Sequence, residues 1–297
     1  MGLPLTILAY RRILARPDPL FPDAIDAARF EQHLRVLTRW FRVIPLGDAV
    51  AQMRAGRLPA RAACITFERG YAAATEVALP LLQRFRVRAT FFVASGLLDG
   101  AGLWDDALAD VLRNAPGARL NLGRSGFGSF DIGCIVRRRA VLATLMAALA
   151  GLADDERSAR VRAMARRFTC VMLSADQLLA LHRAGMEIGA HPAGHPVLTA
   201  LSNAAARSDI AAGRAGLQEI IQAPVDLFAY PGGLPGRDFE RRHAAMLRAQ
   251  GFQAAVCGAA GTVRPHTDLF ALPRLAPRGD ARGFAMQIAT NLLRGAP

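Results

Sequence analysis

Short apolar runs alternate along this chain with longer segments of helical periodicity, and that alternation limits the fold more than any other feature. Residues 5–10, 62–67, 89–94, 186–190, 227–230 and 254–257 are compact apolar runs and read as buried strands. Residues 26–41, 46–53, 75–85, 174–184, 203–221 and 238–250 read as helices; Phe30, Leu34, Leu37 and Phe41 show the spacing. Ser174-Ala175-Asp176-Gln177 predicts a capping box at one helix start. Repeated strand–helix units predict parallel strands with right-handed crossovers, and six or seven of them favour a barrel over an open sheet. In barrels of this kind chemistry gathers at the C-terminal strand ends.

Residues 99–172 break the rhythm. They hold a predicted helix at 104–114, a glycine-rich stretch at 123–133 and two arginine-rich helices between 135 and 167. No linker composition flanks them. They read as a helical insertion within one domain spanning 1–297. Trp104 reads as a core residue or a sugar-stacking platform, with Asp105 and Asp106 beside it.

All 37 basic residues are Arg, and the formal net charge is +13. The arginines are scattered, the densest cluster being Arg137-Arg138-Arg139, and no nucleic-acid motif accompanies them. A nucleic-acid partner is therefore not expected. Cys64, Cys134, Cys170 and Cys257 form no C-x-x-C pair and read as reduced, mostly buried side chains. No leader-like opening and no run of roughly 20 apolar residues is present, so the expectation is a cytoplasmic protein with no membrane partner.

Three predicted strands end in unusual residues. Glu68-Arg69-Gly70-Tyr71 follows one, His191-Pro192-Ala193-Gly194-His195-Pro196 another, and Tyr230-Pro231-Gly232-Gly233 a third. Each His of the pair precedes a Pro, which disfavours helix there and puts both imidazoles in a loop. Two imidazoles so placed can share one metal or act in proton transfer.

The segment ITFERGYAAATEVALPLLQRFRVRATFFVASG resembles the first motif region of polysaccharide deacetylases, the NodB-type carbohydrate esterases. LHRAGMEIGAHPAGHPVLTALS resembles their second motif, LFAYPGG their third, and LPRL at 272–275 a closing segment. The resemblance runs over nearly the whole chain and is weakest in 99–172. It implies a distorted (β/α)7-type barrel. It also implies a divalent metal, commonly zinc, held by one Asp and two His, with a second Asp as base against an N-acetylated sugar. His191 and His195 match the two imidazole ligands. Glu68 stands at the base position and Arg69 at the metal-binding Asp. Gly232 falls where the family often has Tyr, in a segment whose backbone N–H serves the oxyanion. Tyr230 and Arg274 belong with the substrate-side residues, Arg274 being either an ion-pair partner for a loop carboxylate or a surface residue. Tyr10-Arg11 replaces the usual Tyr-His, and His266 does not match the family's acid His.

A unit-charge pair about 4 Å apart is worth about 4 kcal/mol at an effective dielectric of about 20, so a guanidinium facing a divalent ion is repelled by about twice that. Arg cannot deprotonate to escape. Metal binding is therefore expected to be weak or absent, and deacetylation impaired. One reading keeps an active hydrolase with Glu68 as the rescuing ligand. A second is a non-catalytic protein that binds an acetylated or acidic glycan, or a protein partner, with Arg69, Arg11 and Arg237 as a fork for an anion. A third is a metal-free hydrolase, for which no Ser-His-Asp or Gly-x-Ser-x-Gly arrangement is evident.

Overall fold

The computed structural model describes residues 4–100, 103–152, 154–164 and 172–293. Cys170 and the end of the second arginine-rich helix lie outside them. The chain divides into two compact units, one of residues 4–16, 23–99 and 172–293 and the other of 17–22 and the described part of 100–171. Elements are numbered in chain order across both.

The larger unit begins with β1 (Leu5–Tyr10), α1 (Ala27–Trp40), β2 (Arg42–Val43), α2 (Leu46–Arg54), β3 (Ala62–Phe67), α3 (Leu79–Arg84) and β4 (Thr90–Val93). The smaller unit supplies α4 (Trp104–Asn114), the hairpin β5 (Arg119–Asn121) and β6 (Ser129–Asp131), α5 (Ile135–Ala150) and α6 (Asp154–Met164). The larger unit resumes with α7 (Ala175–Arg183), β7 (Glu187–Ala190), α8 (Asn203–Ile221), β8 (Leu227–Ala229), α9 (Arg241–Ala249), β9 (Ala254–Val256) and α10 (Ala281–Leu293).

Its strands are parallel in the order β1-β3-β4-β7-β8-β9, with β2 also on β3. Segment 272–275 closes the gap between the outer strands. Leu272 N–H donates to Ala255 O at 3.0 Å, and Leu275 N–H to Ile7 O at 2.8 Å. The result is the distorted (β/α) barrel that the family resemblance implies, a barrel being also what the alternation favours. All six residues of β3 are buried, which explains its unbroken apolar run. Tyr10, Phe30, Phe67 and Phe91 pack ring on ring beneath the strand ends, Phe67 lying on Phe91 at 4.5 Å.

Helix ends follow local chemistry. Asp26 caps α1 by accepting from Arg29 N–H at 2.9 Å, and the Ser174–Gln177 capping box is present at α7. Helix α2 starts at Pro45 without a cap of its own. Glu187 of β7 serves instead, both carboxylate oxygens accepting from Gly47 N–H at 3.0 and 3.1 Å.

The smaller unit has its own core around Leu108, Leu112, Ile132, Leu142 and Leu145. The glycine-rich stretch there forms the β5–β6 hairpin, which residue spacing did not reveal. Arg137, Arg138 and Arg139 are held inside this unit: Arg137 pairs with Asp131, Arg138 donates to the carbonyls of Leu112 and Ala115 at the end of α4, and Arg139 donates to Pro19 O. Arg157 lies over the half-buried Trp104 ring at 5.2 Å. Among the described residues no helix is long and apolar enough to cross a membrane.

Candidate active site

Strand β3 delivers Glu68 to the C-terminal end of the barrel. Glu68 N–H still pairs with Tyr10 O at 2.9 Å, one step past the strand. Arg69 and Gly70 then take φ values of 71° and 78°, and two left-handed residues in succession reverse the chain. A non-glycine residue there costs about 1 kcal/mol or more. The Arg69 guanidinium reaches the hydroxyl of the buried Tyr71 at 3.3 Å.

The histidine loop leaves β7. His191 is fully buried, and its Nδ1–H donates to Ala229 O of β8 at 2.7 Å. In the neutral ring Nε2 is then an acceptor. It lies 3.4 Å from Arg69 N–H and 3.3 Å from Glu68 Oε2. His195 is half-buried, its ring 4.7 Å from His191 at 69°, so the structure does bring the two imidazoles together. Two residues that spacing did not single out seat this loop on α8. A Cβ on Gly213 would come within 2.3 Å of His191 O, and Asp209 O accepts from Ala193 N–H at 3.1 Å. Glycine inside a helix is the one sequence signal that could have marked the close approach.

Arg274 comes from the closing segment. It is buried, its Nε donating to Cys257 O at 2.9 Å and Nη1 to Thr66 Oγ1 at 3.4 Å, and it pairs with Glu68 Oε1. Of the two readings for Arg274, this is the ion-pair partner. Burial alone would raise the Glu68 pKa. The Arg274 charge outweighs that and holds the carboxyl well below its usual range.

The third motif divides. Tyr230 is buried with its ring on Phe239 at 3.7 Å and its hydroxyl donating to Phe270 O at 3.0 Å, so its side chain packs away from Glu68. Gly232 has φ 69°, and a Cβ there would meet Asp238 Oδ2 at 2.5 Å. That contact and the left-handed φ favour glycine at this position. Arg237 grips the same Asp238 through two bonds of 2.8 and 2.9 Å, so it is committed within its own loop and does not join Arg69 in a fork. Arg11 is exposed. His266 is exposed three residues beyond Val263, which pairs with Leu5 at the far end of β1.

Residues 55–255 match the family model for polysaccharide deacetylase. The chain belongs to the polysaccharide deacetylase family. Among solved structures, the Streptococcus pyogenes deacetylase PplD in complex with acetate superposes with a TM-score of 0.68 at 14% identity, covering 97% of this chain and 99% of that one. IcaB from Ammonifex degensii gives 0.64 at 20% identity, covering 99% of each chain. A de-N-acetylase from Aggregatibacter actinomycetemcomitans gives 0.62 at 16%, covering 97% and 99%. At these identities the likeness establishes the fold alone. No curated protein matches the chain significantly.

Deacetylases of this family are generally metal-dependent, and the side chains here fit that requirement poorly. Arg69, which the motif resemblance sets at the metal-binding position, is a fixed cation, and Glu68 already has an Arg274 partner. Among the described residues no group of three or more His, Cys, Asp or Glu is arranged to hold a metal ion. Arg274 takes the Glu68 carboxylate, while the left-handed turn carries the neighbouring Arg69 to Tyr71.

Proposed function

We propose that this polysaccharide deacetylase family member engages N-acetylated glycan at the strand-end site but is impaired in removing the acetyl group. The observation that carries this reading is the hold of the buried Arg274 guanidinium on Glu68 Oε1. A carboxylate so held is not presented to a metal or to an incoming water. Arg69 adds a positive charge at the position where the family supplies a carboxylate ligand. Electrostatic repulsion of that kind weakens zinc binding at the His191–His195 pair without disturbing the barrel.

The test is elemental analysis of the purified protein together with acetate release from N-acetylglucosamine oligomers. Native protein should carry little metal and release little acetate. The double variant Glu68→Asp/Arg69→Asp should take up zinc. Near-stoichiometric zinc and steady turnover in the native protein would refute the reading.

A further inference from the structure

Residues 32–98 hold ten arginines and only three acidic residues, Asp48, Glu68 and Glu76. Five of those arginines gather at one end of the barrel. Arg39 lies just ahead of Trp40 and Arg42 opens β2, Arg57 and Arg61 precede β3, and Arg86 precedes β4. Strands β2, β3 and β4 are parallel, so the segments leading into them meet at the N-terminal end, where Arg42 N–H donates to Arg61 O at 2.9 Å. All five arginines are exposed, as is Trp40 at 52%, with the Arg39 guanidinium over its ring at 5.4 Å. We propose that this end of the barrel docks on a membrane surface of anionic phospholipid, with Trp40 seated among the headgroups.

Ion pairing sets these arginines apart from their neighbours. Arg35 and Arg84 share Glu31, and Arg88 pairs with Asp48. Among the described residues none of Arg39, Arg42, Arg57, Arg61 and Arg86 has a carboxylate partner. A patch left with one sign attracts a surface of the other. Backbone conformation marks two of the five again. Arg61 and Arg86 have left-handed φ values of 55° and 54°. The turns that end α7 and α9 use Gly185 and Gly251 in that conformation, at 80° and 81°, whereas the turn after α3 uses Arg86. Glycine meets no side-chain clash there, so local stability favours glycine, and each arginine holds its charge at a conformational cost. Trp40 selects among anionic partners. An indole within a basic patch suits the headgroup layer of a bilayer, where its ring meets apolar chains and its N–H stays wet. Trp40 is the one exposed aromatic residue of these segments, so the successive bases of a nucleic acid find no row of rings to stack on. The expectation of no membrane partner rested on the lack of a span, and docking by surface charge with one aromatic anchor needs none. Docking at this end leaves Glu68 and His191 at the opposite end of the barrel, directed away from the lipid.

The test is co-sedimentation of the full chain with vesicles of phosphatidylcholine mixed with phosphatidylglycerol, and with vesicles of phosphatidylcholine alone. Wild type should bind the anionic vesicles, come off them in high salt and ignore the neutral ones. Each arginine at an anionic surface is worth about fivefold in affinity, so Arg61→Gly/Arg86→Gly should bind about 25-fold more weakly. Its melting point should change little, because glycine accepts both turns. Trp40→Ala should bind about tenfold more weakly. Arg241→Ala, which removes an exposed charge outside the patch, should bind like wild type. The proposal is overturned by no binding to anionic vesicles, by equal binding of the folded glycine variant, or by as large a loss in Arg241→Ala. Wild-type binding by Trp40→Ala overturns it too, since a seat for lipid needs the indole. Tighter binding to a single-stranded DNA oligomer through the same arginines would make the patch a nucleic-acid surface and reject the membrane.

Discussion

Glu68 and Glu187 lie half-buried at opposite ends of the same parallel barrel. Glu68 follows the C-terminal end of β3, and Glu187 opens β7 at the N-terminal side. Burial pushes the pKa of each upward, yet the outcomes differ in sign. Glu68 has Arg274 beside it and is held well below the usual range. Glu187 has only neutral donors, the Thr90 hydroxyl and the Gly47 and Leu46 amides, with Asp48 adding a like charge, and it stays raised. The lesson is that a cation buried with the carboxylate decides its state; burial alone does not. One end of the barrel is built around a permanent ion pair, the other around a hydrogen-bonded cap for α2.

The sharpest way to break this contrast is Arg274→Ala. It leaves the half-buried Glu68 without its cation and should lower stability at neutral pH by about 3–5 kcal/mol in chemical denaturation. A loss below about 1 kcal/mol would mean that the pair is not the support described here. Because the folded pKa of Glu68 is depressed, its contribution is present above the unfolded value of about 4.3 and is lost as pH falls through the folded value. The penalty of Arg274→Ala should therefore shrink in strong acid. Gly232→Ala should cost about 1–2 kcal/mol, since it needs a left-handed φ and displaces Asp238. An unchanged melting point would show that the loop gives way freely.

At the other end the sign reverses. The folded pKa of Glu187 is raised, so its contribution is complete below about 4.3 and is lost as pH rises through the raised value. Glu187→Gln keeps an oxygen for Gly47 N–H and gives Thr90 a donor. It should gain about 1 kcal/mol at mildly alkaline pH and change little at pH 4. A large loss at mildly alkaline pH would show that the charge itself is needed to cap α2. The smallest effect expected is that of chelator or added zinc on the native melting point, which should barely move; a strong zinc-dependent rise would mean that Glu68 leaves Arg274 to bind metal.

Much of the barrel was legible in the sequence. The bounds of β1 and β3 and the cap of α7 follow from apolar runs and side-chain oxygens that act within four residues. The elements without a strong period were not legible: the two-residue β2, the β5–β6 hairpin and α10. In the site, the convergence of His191 and His195 was readable from their loop. The departure of Tyr230 toward Phe239 was not, because a strand-end side chain can face either side and packing chooses.

What the sequence determined by itself was the set of groups at the strand ends: two imidazoles, a glutamate and an arginine. That is a matter of local order along the chain. The partner of Glu68 was decided only in three dimensions. Arg274 lies 206 residues further on and reaches Glu68 because the closing segment hydrogen-bonds to both β9 and β1. Periodicity and capping are short-range and leave a mark in neighbouring residues. An ion pair between distant segments leaves none, since it depends on the register of strands that meet only when the barrel closes.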